Sequence, residues 1–444
     1  MCECMERVRI TGTGSELQGV GRLADGRAVF VPGALPGEDV EIEITREAKR
    51  FCEARLKRVL EPSRERIDSA CPHNARCGGC AARHMRYEYS LELKRQRVED
   101  ALVRIGGLEK PAVFETYGCD VPERTRNKAE YAVEARAGKV YAGCVEGRSQ
   151  RVLPVRDCLL QREESVRALN WITDHLGEYV FAPHIRWLVT RVNRAGELTA
   201  VFSGDAPMGD ELHDIAAATM RALPDLISVH YCRLRSRPTH ALDGSCVPVL
   251  GARTMCDQLL GLTFELSPQA FFQVNPPQAE VLYLKALEAA GIREGTRVID
   301  AYCGAGTITL AAADRGARAV GVEIIAPAIE NAKRNAMRNN LSDRARFLCG
   351  DAAREIPHMI ASGEHFDAAI LDPPRKGADA ALLDALADAA IPRIAYVSCD
   401  PGTLARDVKR MTERGYQFEW AQPVDMFPWT GHVEAVASMV RICP

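Results

Sequence analysis

Cys399 stands in the run 398–407, Ser-Cys-Asp-Pro-Gly-Thr-Leu-Ala-Arg-Asp, directly after the apolar stretch 394–397. That stretch reads as a strand, and the Pro-Gly pair ends it at once. A thiol at the carboxyl end of a strand lies where open α/β sheets bind ligands, and as a thiolate it is a nucleophile. The alternative is an inert buried cysteine, which most cysteines are. Two carboxylates are candidate partners. Glu434 closes the run Met426-Phe-Pro-Trp-Thr-Gly-His-Val-Glu434, where apolar neighbours would raise its pKa toward the range of a general base; the competing reading is a surface carboxylate. Asp372 ends the strand-like run 366–372 before Pro373 and Pro374, which cannot continue a ladder and leave backbone carbonyls open to a ligand.

A second group of residues points to a nucleotide-like cofactor. The strand 296–301 runs into Tyr302-Cys-Gly-Ala-Gly-Thr307, a glycine turn that lets the backbone approach a ligand. Glu323 ends the next strand, where an acid can hold both ribose hydroxyls, and Asp351 follows a third apolar run. Thr309 stands where the dinucleotide pattern G-x-G-x-x-G needs glycine. This argues against a pyrophosphate and for a phosphate-free cofactor such as S-adenosylmethionine. Gln273, in Phe271-Phe-Gln-Val-Asn-Pro276, offers an amide beside aromatics, suited to reading a base edge. Arg375 and Lys376 stand where amine methyltransferases carry an aromatic, which disfavours methylation of an exocyclic amine.

The cysteines form a third constellation. Cys71, Cys77 and Cys80 are spaced C-x5-C-x2-C, with Cys119, Cys144 or Cys158 available as a fourth member. Four thiolates hold tetrahedral zinc or a [4Fe–4S] cluster, and zinc sites usually use two short hooks, which this spacing lacks. Sixteen cysteines in a chain of this length and without a signal-peptide core suggest metal or catalysis, not a disulfide framework.

These residues need several elements to position them. A chain of 444 residues exceeds one core. The expected divisions are 1–62, a small antiparallel OB-like barrel; 63–265, a mixed α+β region with the cysteines; and 266–444, a doubly wound α/β sheet of alternating strands and helices. The segment 87–105 reads as a charged helix that could pack on the last division. The net charge of −3 rules out a polycation, so nucleic-acid binding would need local patches. The basic residues of 46–66 are interleaved with acids and read equally as a solvated face. No apolar run reaches membrane-spanning length, so a cytoplasmic protein with no membrane partner is expected.

The runs FFQVN (271–275), DAYCGAGTITL (300–310), GVE (321–323), LDPPRKG (371–377), SCDPGTLARD (398–407) and MFPWTGHVE (426–434) together resemble the RNA uracil-C5 methyltransferase family, and 124–131 resembles its central basic run. The resemblance implies a class I S-adenosylmethionine-dependent fold behind an RNA-binding TRAM barrel. By it, Cys399 is the nucleophile and Glu434 the base, and Gln273, Tyr302, Thr307, Glu323, Asp351 and Asp372 are cofactor-site positions, with Asp372 also near the uracil. It also implies a [4Fe–4S] cluster on Cys71, Cys77, Cys80 and Cys158. Uracil is favoured over cytosine because the loop after the 366–372 strand is Asp-Pro-Pro-Arg and holds no Pro-Cys pair. The expected substrate is ribosomal RNA of the large subunit (23S), acted on by a monomer. Transfer RNA is the alternative, and a non-catalytic RNA-binding iron–sulfur protein is the alternative of another class.

Overall fold

Apolar residues spaced two apart give the first sixty residues their shape. In the computed structural model, which describes residues 5–136, 138–147, 149 and 151–442, the strands β1 (Met5–Thr13), β2 (Gly19–Arg22), β3 (Ala28–Val31), β4 (Asp39–Glu47) and β5 (Phe51–Glu61) close into a barrel of order β1-β2-β3-β5-β4. Pairs at i and i+2, such as Val8 and Ile10 or Val40 and Ile42, fill the interior. The interleaved charges pair across strands: Arg58 with Glu41 at 3.0 Å, Lys57 with Glu43 at 2.8 Å, Arg46 with Glu53 at 3.2 Å. Arg66, which follows the barrel, pairs with fully buried Glu38 at 2.5 Å.

The cysteine-rich segment follows and leads into α1 (Tyr87–Arg104). On this helix Ser90, Lys94, Val98 and Leu102 are buried, a stripe four residues apart. Val98 and Leu102 join one core of the C-terminal sheet, so α1 is packed on that sheet.

The middle of the chain forms a second sheet from β6 (Lys128–Arg136), β7 (Lys139–Val145), β8 (Val152–Pro154), β9 (Ile185–Val192), β10 (Leu198–Gly204), β11 (Leu226–Leu234) and β12 (Gly244–Gly251), in the order β12-β11-β10-β9-β6-β7-β8. The helices α2 (Glu163–His175) and α3 (Glu211–Ala222) cover it, and α3 is the crossover between β10 and β11, its parallel pair. A hairpin of β13 (Met255–Leu259) and β14 (Leu262–Leu266) precedes the last division.

The C-terminal sheet alternates strand and helix: α4 (Pro276–Ala289), β15 (Arg297–Ala301), α5 (Thr307–Asp314), β16 (Arg318–Glu323), α6 (Ala326–Arg338), β17 (Ala345–Cys349), α7 (Ala352–Ala361), β18 (Ala368–Leu371), α8 (Ala380–Asp388), β19 (Arg393–Ser398), α9 (Pro401–Glu413), β20 (Tyr416–Val424) and β21 (Glu434–Arg441). The strand order is β17-β16-β15-β18-β19-β21-β20. The first five strands are parallel; β16, β15, β18 and β19 are buried on both faces and carry mostly apolar runs for that reason, whereas the edge strand β17 alternates buried and exposed residues at its start. The order reverses between β15 and β18, the switch point where such sheets open a crevice. β21 lies antiparallel between β19 and β20. Among the described residues no helix is long and apolar enough to cross a membrane.

Candidate active site

Register brings the predicted reacting groups together. In the antiparallel pair β19–β21, Ser398 lies opposite Ala435, so one further step sets Cys399 opposite Glu434. In the parallel pair β18–β19, Leu371 lies beside Tyr396, and Leu371 also pairs with Ala301 of β15. Asp372 and the turn after Ala301 therefore share this edge, and the Asp372 amide donates to the Ala301 carbonyl at 3.5 Å.

The electrostatics follow from burial. Glu434 is only 6% exposed, and desolvation, helped by the charge of Asp372, pushes its carboxyl up to about 8. The surface-carboxylate reading is thereby excluded. Desolvation lifts Asp372 to about 7. Cys399 is half-buried, and burial, then the charges of Glu434 and Asp372, raise its thiol to about 11. The thiol is thus not activated by a depressed pKa. A nucleophilic thiol here would need a nearby acceptor, and two carboxylates raised into the neutral range, each able to take a proton in its ionised form, are at hand.

The turn around Cys399 is fixed from both sides. Asp400 caps α9, accepting from the amides of Gly402 at 2.9 Å and Thr403 at 3.1 Å, with Pro401 at the first helical position. Ser398 Oγ accepts from the Asp400 amide at 3.1 Å. Buried Asp407 accepts from the Ala378 amide at 3.0 Å and the Tyr396 hydroxyl at 2.5 Å, tying α9 to the Pro-Pro-Arg-Lys-Gly loop. Gly377 adopts φ 85°, a backbone conformation that favours glycine, and a Cβ would also come within 2.7 Å of Asp407 Oδ2. The expectation of two open proline carbonyls needs correction: Pro374 accepts from the Gly377 amide at 2.8 Å, because the segment folds into a turn.

Next to these groups lies the glycine turn, with Tyr302, Gly304 and Gly306 all at positive φ (68°, 54° and 85°). The Gly304 amide donates to one oxygen of Glu323 at 3.2 Å and the Ile325 amide to the other at 2.9 Å. Thr309 Oγ donates to Asp300 Oδ2 at 2.6 Å, while Asp300 Oδ1 is buried without a partner. A Cβ on Gly306 would strike the Phe347 ring at 2.9 Å, whereas one on Gly304 would meet nothing within 4 Å. The turn is packed below and open above. An open glycine face, an acid on the next strand and an orphaned carboxylate oxygen fit a nucleoside cofactor without phosphates. Thr307 Oγ contacts the hydroxyl of buried Tyr283 at 3.5 Å, and the Gln273 side chain bonds the same hydroxyl. Asp351 lies farther out: it is exposed and caps α7, accepting from the Ala353 amide at 3.0 Å, and its charge reaches the Tyr302 hydroxyl.

The run 124–131 serves as a clamp. Arg124 pairs with Asp157 at 2.7 Å and holds the Cys158 carbonyl at 2.7 Å, and Asn127 donates to the Gln273 carbonyl at 3.1 Å. Of the predicted thiols, Cys77 and Cys158 both hydrogen-bond Cys144, and Cys80 feels the charge of Cys158. Cys71 lies on its own turn, its amide donating to Ser69 Oγ at 3.2 Å. Cys119 is elsewhere, accepting from Asn275 Nδ2 at 3.5 Å. Among the described residues no group of three or more Cys, His, Asp or Glu is disposed to hold a metal ion.

Sequence reasoning missed Tyr283, Asp407 and a buried pair, Lys94 with Asp425. The signal for Lys94 was its place in the four-residue apolar stripe of α1. Nothing local marked its partner.

A family model described as tRNA (Uracil-5-)-methyltransferase matches residues 258–441, and a TRAM domain model matches 5–57. An RNA methyltransferase of Halalkalibacterium halodurans is 37% identical over 93% of this chain and 92% of its own length; one of Caldanaerobacter subterraneus is 37% identical over 98% of both. The chain belongs to the RNA uracil-C5 methyltransferase family. The crystal structure of the Pyrococcus abyssi tRNA (uracil-54, C5)-methyltransferase in complex with S-adenosyl-L-homocysteine superposes with a TM-score of 0.77 at 25% identity, covering 98% of this chain and all of that one. This methyltransferase is therefore an S-adenosylmethionine-dependent RNA enzyme, with a TRAM barrel ahead of a class I catalytic sheet.

Proposed function

We propose that this methyltransferase methylates C5 of a uridine in 23S ribosomal RNA through a transient bond between Cys399 Sγ and C6, with Glu434 as the base. The observation that carries the reading is the meeting of Cys399, Glu434 and Asp372 at one sheet edge beside the glycine turn. Uracil C5 is a weak nucleophile, and addition of sulfur at C6 turns the ring into an enolate. As Sγ bonds C6, the thiol proton passes to ionised Asp372; loss of that charge removes one of the two causes that hold the Glu434 carboxyl up, so Glu434 can give its proton to solvent and stand ionised for the later step. S-adenosylmethionine, when bound, supplies an electrophilic methyl group to C5. Glu434 then takes the C5 proton, the C5–C6 double bond re-forms, and Sγ leaves and recovers its proton from Asp372. Gln273, Tyr302, Thr307 and Glu323 hold the cofactor, with Asp351 at its rim.

In this reading Cys71, Cys77, Cys80 and Cys158 bind a [4Fe–4S] cluster. A thiolate set suits that metal group by its chemistry, and the family resemblance names these four; Cys144, hydrogen-bonded to Cys77 and Cys158, competes for the fourth place. The cluster would staple the cysteine segment to the loop that follows β8 and takes no part in the steps above. Transfer RNA is the second reading, favoured by the likeness to the Pyrococcus abyssi enzyme over nearly the whole chain. Labelled methyl transfer to separate 23S rRNA and tRNA transcripts, followed by mapping, decides between them. Label at C5 of a uridine in 23S rRNA is expected. Label in tRNA alone would transfer the assignment, and label at a base nitrogen would end the C5 reading.

A further inference from the structure

The segment 425–433, which carries the chain from β20 into Glu434, has no regular structure of its own. Its backbone is held from outside. Asn275 Nδ2 donates to the Met426 carbonyl at 3.3 Å, and the amides of Ala81 and Ala82 donate to Trp429 at 2.8 and 3.0 Å. Arg97 donates to the Gly431 carbonyl. The innermost holder is an ion pair: Lys94 Nζ lies 2.5 Å from Asp425 Oδ1, and both side chains are 0% exposed. Lys94 also donates to the Phe427 carbonyl at 3.0 Å, the same oxygen that Thr430 Oγ reaches at 2.8 Å. Tyr87 donates to Asp425 Oδ2 at 2.6 Å and accepts from the Cys119 amide at 2.8 Å.

A fully buried lysine and aspartate gain less than an apolar pair of the same volume would, so stability alone is a weak reason for them. Their directional bonds do what an apolar pair could not. They fix a carbonyl and a side chain at the head of the segment whose last residue is Glu434, with α1 as the rigid post. A base must stand within hydrogen-bond reach of the proton it removes, and a small misplacement slows that step selectively.

We propose that Lys94, through Asp425 and the Phe427 carbonyl, is a positioning residue that sets Glu434 for removal of the C5 proton. The proposal deepens the reading of Glu434 as the base and rests on it. Removal of the lysine loosens the segment, so the step after methyl transfer slows while cofactor binding and formation of the sulfur–carbon bond persist.

The test is full-length Lys94→Met, with labelled cofactor and the RNA transcript that the wild-type enzyme methylates. The expected result is turnover lowered by about tenfold or more, an increased fraction of protein covalently attached to methyl-labelled RNA on a denaturing gel, and cofactor affinity within about twofold by calorimetry. Tyr87→Phe leaves both charges paired and removes one hydroxyl; it should show the same trapped species with a smaller slowing, and it decides the matter alone if Lys94→Met does not fold. Turnover near wild type in either folded variant, or slowing with no rise in the adduct, overturns the proposal. Glu434→Gln run beside them separates the two claims. If it traps adduct and the Lys94 and Tyr87 variants do not, only the positioning role falls. If it traps none, the base assignment itself is wrong.

Discussion

A thiol held near 11 beside carboxylates near 7 and 8 cannot act as a preformed thiolate. In the proposed mechanism, attack coincides with transfer of its proton. Cys399→Ala is therefore expected to abolish methyl transfer, with cofactor affinity unchanged by calorimetry; activity within about tenfold of wild type would remove Cys399 as nucleophile. Glu434→Gln keeps the shape and loses the basicity, so covalently bound, methylated RNA should accumulate. The same substitution has a signature in stability. The folded-state pKa of Glu434 is about 8, above its unfolded value, so its contribution is fully present below the unfolded pKa and is lost as pH rises through about 8. Glutamine does not ionise. The variant should gain on the wild type by on the order of 2 kcal/mol between about pH 6 and pH 9, in chemical denaturation at each pH. A gap that does not change with pH would mean that the carboxylate is not desolvated in the folded enzyme.

At the scale of elements, the packed glycine turn makes its own prediction. Gly306→Ala places a methyl group against Phe347 and Ala332 at φ 85°, which should cost about 1–3 kcal/mol of stability and weaken cofactor binding, readable by melting with and without S-adenosylmethionine. The same change at Gly304 meets no atom within 4 Å of the Cβ, so any loss there comes from backbone strain and from the ligand itself. The parts of the site that sequence disclosed were those with local marks. Cys399, Asp372 and the 302–307 turn each follow an apolar run that only a buried parallel strand explains. Glu434 was harder, since its burial depends on β21 slipping between β19 and β20, which no local pattern states. The direction of the Cys399 shift was illegible because its cause lies on two other strands. The charges of the barrel were ambiguous for a similar reason: their partners sit across the ladder, as Glu41 does from Arg58, and not along the chain.

Over the whole molecule, the barrel, the cysteine segment and the C-terminal sheet meet at the segment that leads into Glu434. Glu16 of the barrel lies against Gly431, where a Cβ would come within 2.7 Å of its backbone, and the residues directly after Cys80 bond Trp429. On the proposed cluster, anaerobically purified enzyme should be brown and carry roughly four irons, with no stoichiometric zinc. Cys77→Ser and Cys158→Ser should lose that iron, whereas Cys119→Ser, far from the other thiols at Asn275, should keep it; iron loss equal in all three would refute the assignment. The buried Lys94–Asp425 pair joins residues 331 positions apart. At about 5–20 residues per second of synthesis, the lysine is added to the chain roughly 17 to 66 seconds before its aspartate. Through that interval α1 carries a cation on the face meant for burial and has no strand to bury it against. The catalytic half of the enzyme cannot settle piece by piece as it emerges. It must wait for the far end of the chain.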